Sequence, residues 1–404
     1  MTATLLELRD RDPYAYYEEL RAQAPVVWDE GMQAWLVLGH AECVVVERRE
    51  DWFAPGMGSL PGAKEITGAR SILTMRGKPH DALHKQLSKW LTPARCQHFA
   101  ETLIRPVATR VVEHVAPRGQ CELHHDVAEL IPLGVVGELL GMPPWDEPKL
   151  RQLKQRFDQI LAWRHTYGTD DEILEIARQA SFELDDEFGP TVRERRENPT
   201  DDLISELWRA GEEGVPDWTE RDVLDQCKVL FEAGVETTAL TLSSVAWVLA
   251  TNEEARALVE LDRGEPLARV IEETLRYQAP VQMRVRQALE DVELGGELIR
   301  KGDRVHPINA AANRDPSRYP DPGSFRLDRK GWASHLTFNV GPRQCVGAAL
   351  ARLEITETMN VMLDRWPGFR LDPGKPSPAF AGFVSRSYVP LYLAWSPESS
   401  KEPA

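Results

Sequence analysis

The stretch Phe338-Asn339-Val340-Gly341-Pro342-Arg343-Gln344-Cys345-Val346-Gly347 decides how the rest of the chain reads. One cysteine stands between two glycines, a phenylalanine precedes it, and a helical pattern begins immediately after it. A thiolate that ligates a metal needs backbone amides close to its sulfur, and such close approach favours glycine. A cysteine met alone is more often a small buried hydrophobe in a tight loop. The residues around Cys345 therefore have to carry the argument.

Their spacing, Phe-x-x-Gly-x-x-x-Cys-x-Gly, resembles the signature loop of the cytochrome P450 family. The resemblance implies that Cys345 is the axial ligand of a haem iron. Phe338 would then pack beside the thiolate and limit its contact with water, and Gly347 would let the backbone approach the sulfur.

A second motif lies upstream. Thr219 can cap a helix running from about Asp222 to Ala250, with acidic residues in its first turn. Its middle, Ala233-Gly234-Val235-Glu236-Thr237-Thr238, is locally poor helix: Gly234 costs roughly 1 kcal/mol against alanine and the threonines add smaller penalties. Local rules broken together in a long helix point to a functional constraint. These residues match the family's Ala/Gly-Gly-x-Asp/Glu-Thr-Thr motif, which lies over the oxygen-binding face of the haem. By that resemblance Ala233 lines the haem, Gly234 leaves room for dioxygen, Thr237 hydrogen-bonds the oxygen, and Glu236 relays protons from solvent. A helix whose threonine back-bonds to the preceding turn is the structural alternative.

Glu273 and Arg276 fit the family's Glu-x-x-Arg ion pair. The pattern alone is uninformative, because it occurs seven times in this chain. It is singled out here by its position between the two motifs and by Ala312-Asn313-Arg314-Asp315-Pro316 downstream. Relatives often add an Arg or His just before a Phe; here Ser324 precedes Phe325, and Arg326 or Arg329 are the substitutes available. Haem propionates call for cationic partners, preferably guanidinium groups, and by position these are His80, His84, Arg286 and Arg343. His84 stands where relatives usually have Arg, Arg343 where many bacterial ones have His, and Asn339 where many have Gly. The i, i+4 spacing of His80 and His84 also invites a zinc reading. Asp81 replaces the glutamate such a site wants, and no third ligand is evident.

Composition narrows the remaining classes. The net charge is −16 and no basic run appears, which argues against a nucleic-acid partner. Five scattered cysteines suit a reducing cytoplasm better than a disulfide framework. The first ten residues lack a basic and then an apolar region, so they do not read as a signal peptide. The most apolar window, near 239–250, reads as too short and too rich in Thr and Ser to span a bilayer. The expectation is a monomeric bacterial protein of the cytoplasm.

Along the chain, Pro13 to Ala24 reads as a helix, Val26 to Trp28 and Ala34 to Leu38 as a hairpin, and Ala41 to Arg49 as a helix. Residues 54–68 read as a long loop, and His80 to Leu91 as a helix. Helical patterns then run to about 260, with breaks at Pro117-Arg118-Gly119, Pro143-Pro144, Asn198-Pro199 and Gly211 to Pro216. Short strands follow between Ala288 and Ile308, then a helix after the cysteine, and strand again from Phe380 to Trp395. The fold class is mainly α (α+β): one cytochrome P450 domain over 1–404, a large helical body with small antiparallel sheets, and haem between helix 222–250 and the Cys345 loop.

The resemblance implies a monooxygenase with haem b and dioxygen, fed with electrons from NAD(P)H through a separate ferredoxin and its reductase. Lys85, Lys89, Arg95 and Arg352 could form a basic docking patch for an acidic ferredoxin. Family analogy draws the substrate pocket from 53–75, Phe157 to Trp163, Leu230, Ala233, Val281 to Met283 and Phe380 to Phe383. Its aromatic content favours a compact apolar or aromatic substrate, hydroxylated or oxidatively O-demethylated. A peroxide-driven peroxygenase and a non-enzymatic haem sensor are the alternatives, and neither needs the pair Glu236 and Thr237.

Overall fold

The computed structural model describes Leu5, residues 11–142 and residues 146–396. The expected break at Pro143-Pro144 and most of the N-terminal segment lie outside the described residues.

The fold is organised around one helix, Glu220–Thr251. A reciprocal capping box starts it: the Thr219 side chain accepts from the Asp222 backbone, and the Asp222 side chain accepts from the Thr219 backbone. The helix runs unbroken through Gly234, Thr237 and Thr238, because burial on most of its surface outweighs their poor propensity. By length and composition it could cross a membrane, contrary to the sequence expectation, but 67% of its most apolar window is buried inside the protein. It is a core helix. Around it pack Leu130–Leu139, Asp171–Glu197, Glu265–Tyr277 and Ala348–Arg365, and these elements share the largest hydrophobic cluster.

The sheets lie to one side. The strands Val26–Asp29, Ala34–Val37, Arg304–Pro307, Arg286–Ala288 and Phe53–Pro55 form a five-stranded sheet in that order. Every pairing in it is antiparallel except Ala34–Val37 with Arg304–Pro307, where Trp35 sits opposite Val305. The other three sheets, of two or three strands, are antiparallel throughout. Two smaller apolar clusters fill the region around the large sheet.

Two local expectations are corrected, and the break expected at Pro117-Arg118-Gly119 is present. Residues 54–68 are not a structureless loop: the strand Phe53–Pro55 is followed by the helical turns Met57–Ser59 and Lys64–Gly68. The break assigned to Gly211 comes later, because helix Leu203–Gly214 passes through it. Gly211 is small for packing rather than for a turn, since a Cβ there would overlap the Trp218 ring. The short strand Gln120–Glu122 directly follows Gly119, whose φ of +65° turns the chain out of the preceding helix.

Candidate active site

The cysteine loop is a tight turn closed on itself. The Cys345 amide donates to the Phe338 carbonyl at 2.8 Å, and helix Ala348–Arg365 starts directly afterwards. Asn339 has φ +61°, a left-handed backbone that suits glycine and is tolerated by asparagine. That conformation explains why asparagine can stand in for glycine there. Cys345 is the exposed member of five free cysteines, the other four being buried. Burial nevertheless pushes its thiol up, opposed by the Gly347 amide and the charges of Arg284 and Arg352. The thiol is thus accessible while closely surrounded by the rest of the protein.

The central helix has a matching opening. Its neighbours in sequence are mostly buried, but Leu230, Ala233, Gly234 and Thr237 are not. They stand at i, i+3, i+4 and i+7, which is one helix face. Gly234 also has a packing reason, since a Cβ there would lie 3.0 Å from Val136 of helix Leu130–Leu139. The Thr237 hydroxyl donates to the Ala233 carbonyl at 2.8 Å, so the back-bonding expected of a helical threonine is present without any bulge. Glu236 turns to a different face, 3.8 Å from the Lys154 ammonium. Burial raises its pKa, with Lys154 and His124 opposing. Lys154 in turn reaches Glu129 at 2.8 Å and Asp158 at 2.5 Å. A chain of ionisable groups thus runs from exposed positions to the middle of the core helix.

Behind the loop, Glu273 and Arg276 form a fully buried bidentate pair at 2.6 and 2.7 Å. Arg329 completes the cluster, its Nε 3.0 Å from Glu273 Oε1. The Arg326 side chain pairs instead with Asp328, and only its backbone amide reaches Glu273, at 2.9 Å. Ser324 contributes a carbonyl, which accepts from both Arg276 and Arg329.

The expected propionate partners are near the site, and most have protein partners. His80 is buried, and burial lowers its pKa, assisted by Arg343. His84 Nε2 bonds the Gln344 carbonyl at 2.8 Å, tying the helix Gly77–Trp90 to the cysteine loop. Since a carbonyl only accepts, that nitrogen carries the proton, and it is not offered to a zinc ion shared with His80. Arg343 pairs with Glu50 and donates to the carbonyls of Ile72 and Met75. Arg286 pairs with Glu47. Arg284, which the sequence reading passed over, donates to the Thr337 carbonyl at 2.9 Å through Nη2, while its buried Nη1 has no partner.

Phe338 is half-buried, with the Arg352 guanidinium 4.3 Å above its ring. Arg352 is held by Glu272 at 2.5 and 2.9 Å, and His335 reaches the same carboxylate at 3.1 Å. Of the expected basic patch, Lys85 and Lys89 are exposed, whereas Arg95 pairs with Asp201 and stacks on Trp90 at 4.4 Å. Several residues expected to line the substrate pocket are shielded from solvent, and Phe157 lines a small cavity with Phe231, Val235 and Glu236. Phe157 stacks on Phe231 at 4.6 Å, Trp163 donates to the Pro61 carbonyl, and both are core residues together with Met283 and Phe383.

A long core helix with an open face, a glycine-flanked exposed cysteine at the start of a helix packed on it, and a buried Glu-Arg-Arg cluster together make the arrangement of a haem-thiolate oxygenase. The chain belongs to the cytochrome P450 family, whose members are monooxygenases. The profile named Cytochrome P450 matches residues 265–386. The mycinamicin IV hydroxylase/epoxidase of Micromonospora griseorubida is 33% identical over 390 residues, 94% of each chain. Among solved structures, P450BioI in complex with an acyl carrier protein ligated to hexadec-9Z-enoic acid superposes with a TM-score of 0.85. It is 25% identical, over 95% of this chain and 98% of that one. CYP109E1 from Bacillus megaterium, in complex with testosterone, gives 0.82 at 27% identity, over 95% and 99%.

The family implies haem iron and dioxygen, and the residues present fit that group. One cysteine thiol is exposed, one face of the core helix is left uncovered, and a buried guanidinium nitrogen lacks an acceptor. A flat apolar ring system with carboxylates at its edge supplies what each of these lacks.

Proposed function

We infer that this chain inserts one atom of dioxygen into a small-to-medium apolar or aromatic organic substrate, by hydroxylation or oxidative O-demethylation. Residues 1–404 act as one cytoplasmic, monomeric unit, with haem b between the central helix and the Cys345 loop. NAD(P)H supplies electrons indirectly, through a ferredoxin reductase and a ferredoxin. Haem bound through a thiolate activates oxygen, because the sulfur donates electron density that favours O–O cleavage.

The protein's own residues then have defined tasks. Cys345 holds the iron, and the Gly347 amide stabilises charge on its sulfur. Thr237 holds a proton on Oγ1 at the open face. Glu236, whose pKa is raised, keeps its proton further towards neutral pH than an ordinary glutamate and so serves as a general acid. Lys154 and Asp158 connect it towards solvent. Leu230 and Ala233 present an apolar wall to the substrate.

The observation that carries the reading is the coincidence of one exposed cysteine with an uncovered stripe on the core helix. A carbon monoxide difference spectrum of the reduced protein tests the thiolate ligand. Turnover with ferredoxin and NAD(P)H, compared with turnover on hydrogen peroxide, tests the electron source. A spin-state screen including aryl ethers, fatty acids and steroids tests the substrate. Shifts confined to steroids or larger polycyclic compounds overturn the small-substrate reading.

A further inference from the structure

Arg284 and Arg286 lie two positions apart beside the cysteine loop, yet the fold treats them differently. Arg286 Nη2 pairs with Glu47, and its Nη1 donates to the Val285 carbonyl at 3.1 Å. The Glu47 side chain is fully buried, and Asn339 Nδ2 donates to the same carboxylate oxygen at 3.1 Å. Removing Arg286 from this cluster would leave a buried carboxylate without its counter-ion, which is strongly unfavourable. Arg286 is therefore committed to Glu47.

Arg284 is in the opposite condition. One branch of its guanidinium is fixed on the Thr337 carbonyl; the other, Nη1, is buried without a hydrogen-bond partner, although the Glu47 carboxylate, whose Oε1 is also unpartnered, attracts the guanidinium from beyond hydrogen-bond reach. No other arginine among the described residues has a buried Nη without a partner. A buried donor of this kind is costly unless a ligand completes it. The guanidinium is close enough to Cys345 for the two to interact electrostatically.

We propose that Arg284, and not Arg286, receives a carboxylate of the bound haem, and that Glu47 and Asn339 enforce this choice by holding Arg286. The proposal rests on the reading of Cys345 as the haem ligand. It makes Glu47 a positioning residue that acts through Arg286, and it gives Asn339 a second task beside its left-handed backbone, a bond to Glu47.

The test is the rate at which haem-loaded protein loses haem to excess apomyoglobin, followed by the Soret band. Arg284→Gln should speed loss about tenfold or more, the effect of deleting a charge-assisted bond. The double variant Glu47→Gln/Arg286→Gln, which removes the pair without stranding a charge, should change the rate less than about threefold by the same reasoning. In a Glu47→Gln background Arg286 is released, and the penalty for Arg284→Gln should shrink several-fold. The proposal is overturned if Arg284→Gln loses haem at the parental rate, or if the Glu47/Arg286 double variant loses it as fast as Arg284→Gln. If Arg284→Gln does not fold, Arg284→Lys is measured in both backgrounds; faster loss only with Glu47 present supports the proposal, and equal rates overturn it. A parental protein without the thiolate carbon monoxide spectrum overturns the Cys345 reading as well, whereas a normal spectrum with unchanged loss rates overturns this proposal alone.

Discussion

The Nε of Arg329 lies 3.0 Å from Oε1 of Glu273, in a cluster where Glu273 and Arg276 are both essentially inaccessible to solvent. Arg329 also donates to the carbonyls of Pro320, Asp321 and Ser324 at 2.6 to 2.7 Å, so it ties the segment before the cysteine loop to the helix Glu265–Tyr277. Arg329→Ala should destabilise the protein by about 3 kcal/mol, because it leaves a buried carboxylate half-compensated and removes the donor to the Pro320 carbonyl. Arg326→Ala should cost less than about 0.5 kcal/mol, since its partner Asp328 is exposed. Urea denaturation of the two variants decides the matter, and equal losses would contradict the assignment.

How legible this was depends on the residue. The sequence order of the cysteine loop, the Glu236-Thr237 pair and Glu273-Arg276 was enough to recognise the family, because each motif is local and has a mechanical reason for its spacing. The long helix was legible through its capping residues and apolar content. The choice of Arg329 over Arg326 was not, because it depends on where a loop crosses a helix 56 positions away. Arg284 was missed for a related reason: its distinguishing feature is an absent partner, and absence has no pattern in sequence. Glu47 carried no signal either, because it opens the charged run Glu47-Arg48-Arg49-Glu50 and reads like an exposed helix end.

Thr237 and Glu236 belong to different faces of the central helix, so their substitutions should separate. Thr237→Ala removes the hydroxyl at the open face and should lower product formed per NAD(P)H consumed several-fold, with electron consumption largely maintained. Glu236→Gln removes the acid while keeping its size, and should slow turnover by about 10²-fold, the usual contribution of a positioned general acid. It should also raise the solvent isotope effect. Simultaneous measurement of NAD(P)H, peroxide and product checks both, and unchanged coupling in Thr237→Ala counts against the proton-relay assignment.

The basic patch reduces to two residues once pairing is considered. Lys85 and Lys89 are exposed on helix Gly77–Trp90, so their combined change to glutamate should raise the KM for ferredoxin several-fold. The effect should fade at high ionic strength, where exposed charges are screened. Arg352→Ala should act differently, because Arg352 holds Glu272 and covers Phe338. Its effect should appear in stability and in the thiolate spectrum, with little dependence on salt. A ferredoxin titration at two salt concentrations distinguishes them.

Glu354 provides a pH dependence whose sign follows from its surroundings. It lies buried in helix Ala348–Arg365, its Oε2 has no partner, and burial alone lifts its pKa from an ordinary 4.5 to about 8. The folded protein therefore holds this proton at pH values where the unfolded chain has released it. Because the unfolded state binds fewer protons over that interval, stability falls as pH rises from about 4.5 to about 8 and levels off beyond. Between pH 5 and 7.5 the loss from this one group amounts to about 3 kcal/mol. Glu354→Gln keeps the size and cannot ionise, so it should match the parent near pH 5 and be the more stable protein at pH 7.5. Denaturant titrations of both proteins across that range measure the difference directly; a gap that stays constant with pH would show that the glutamate is ionised in the fold and has found a partner.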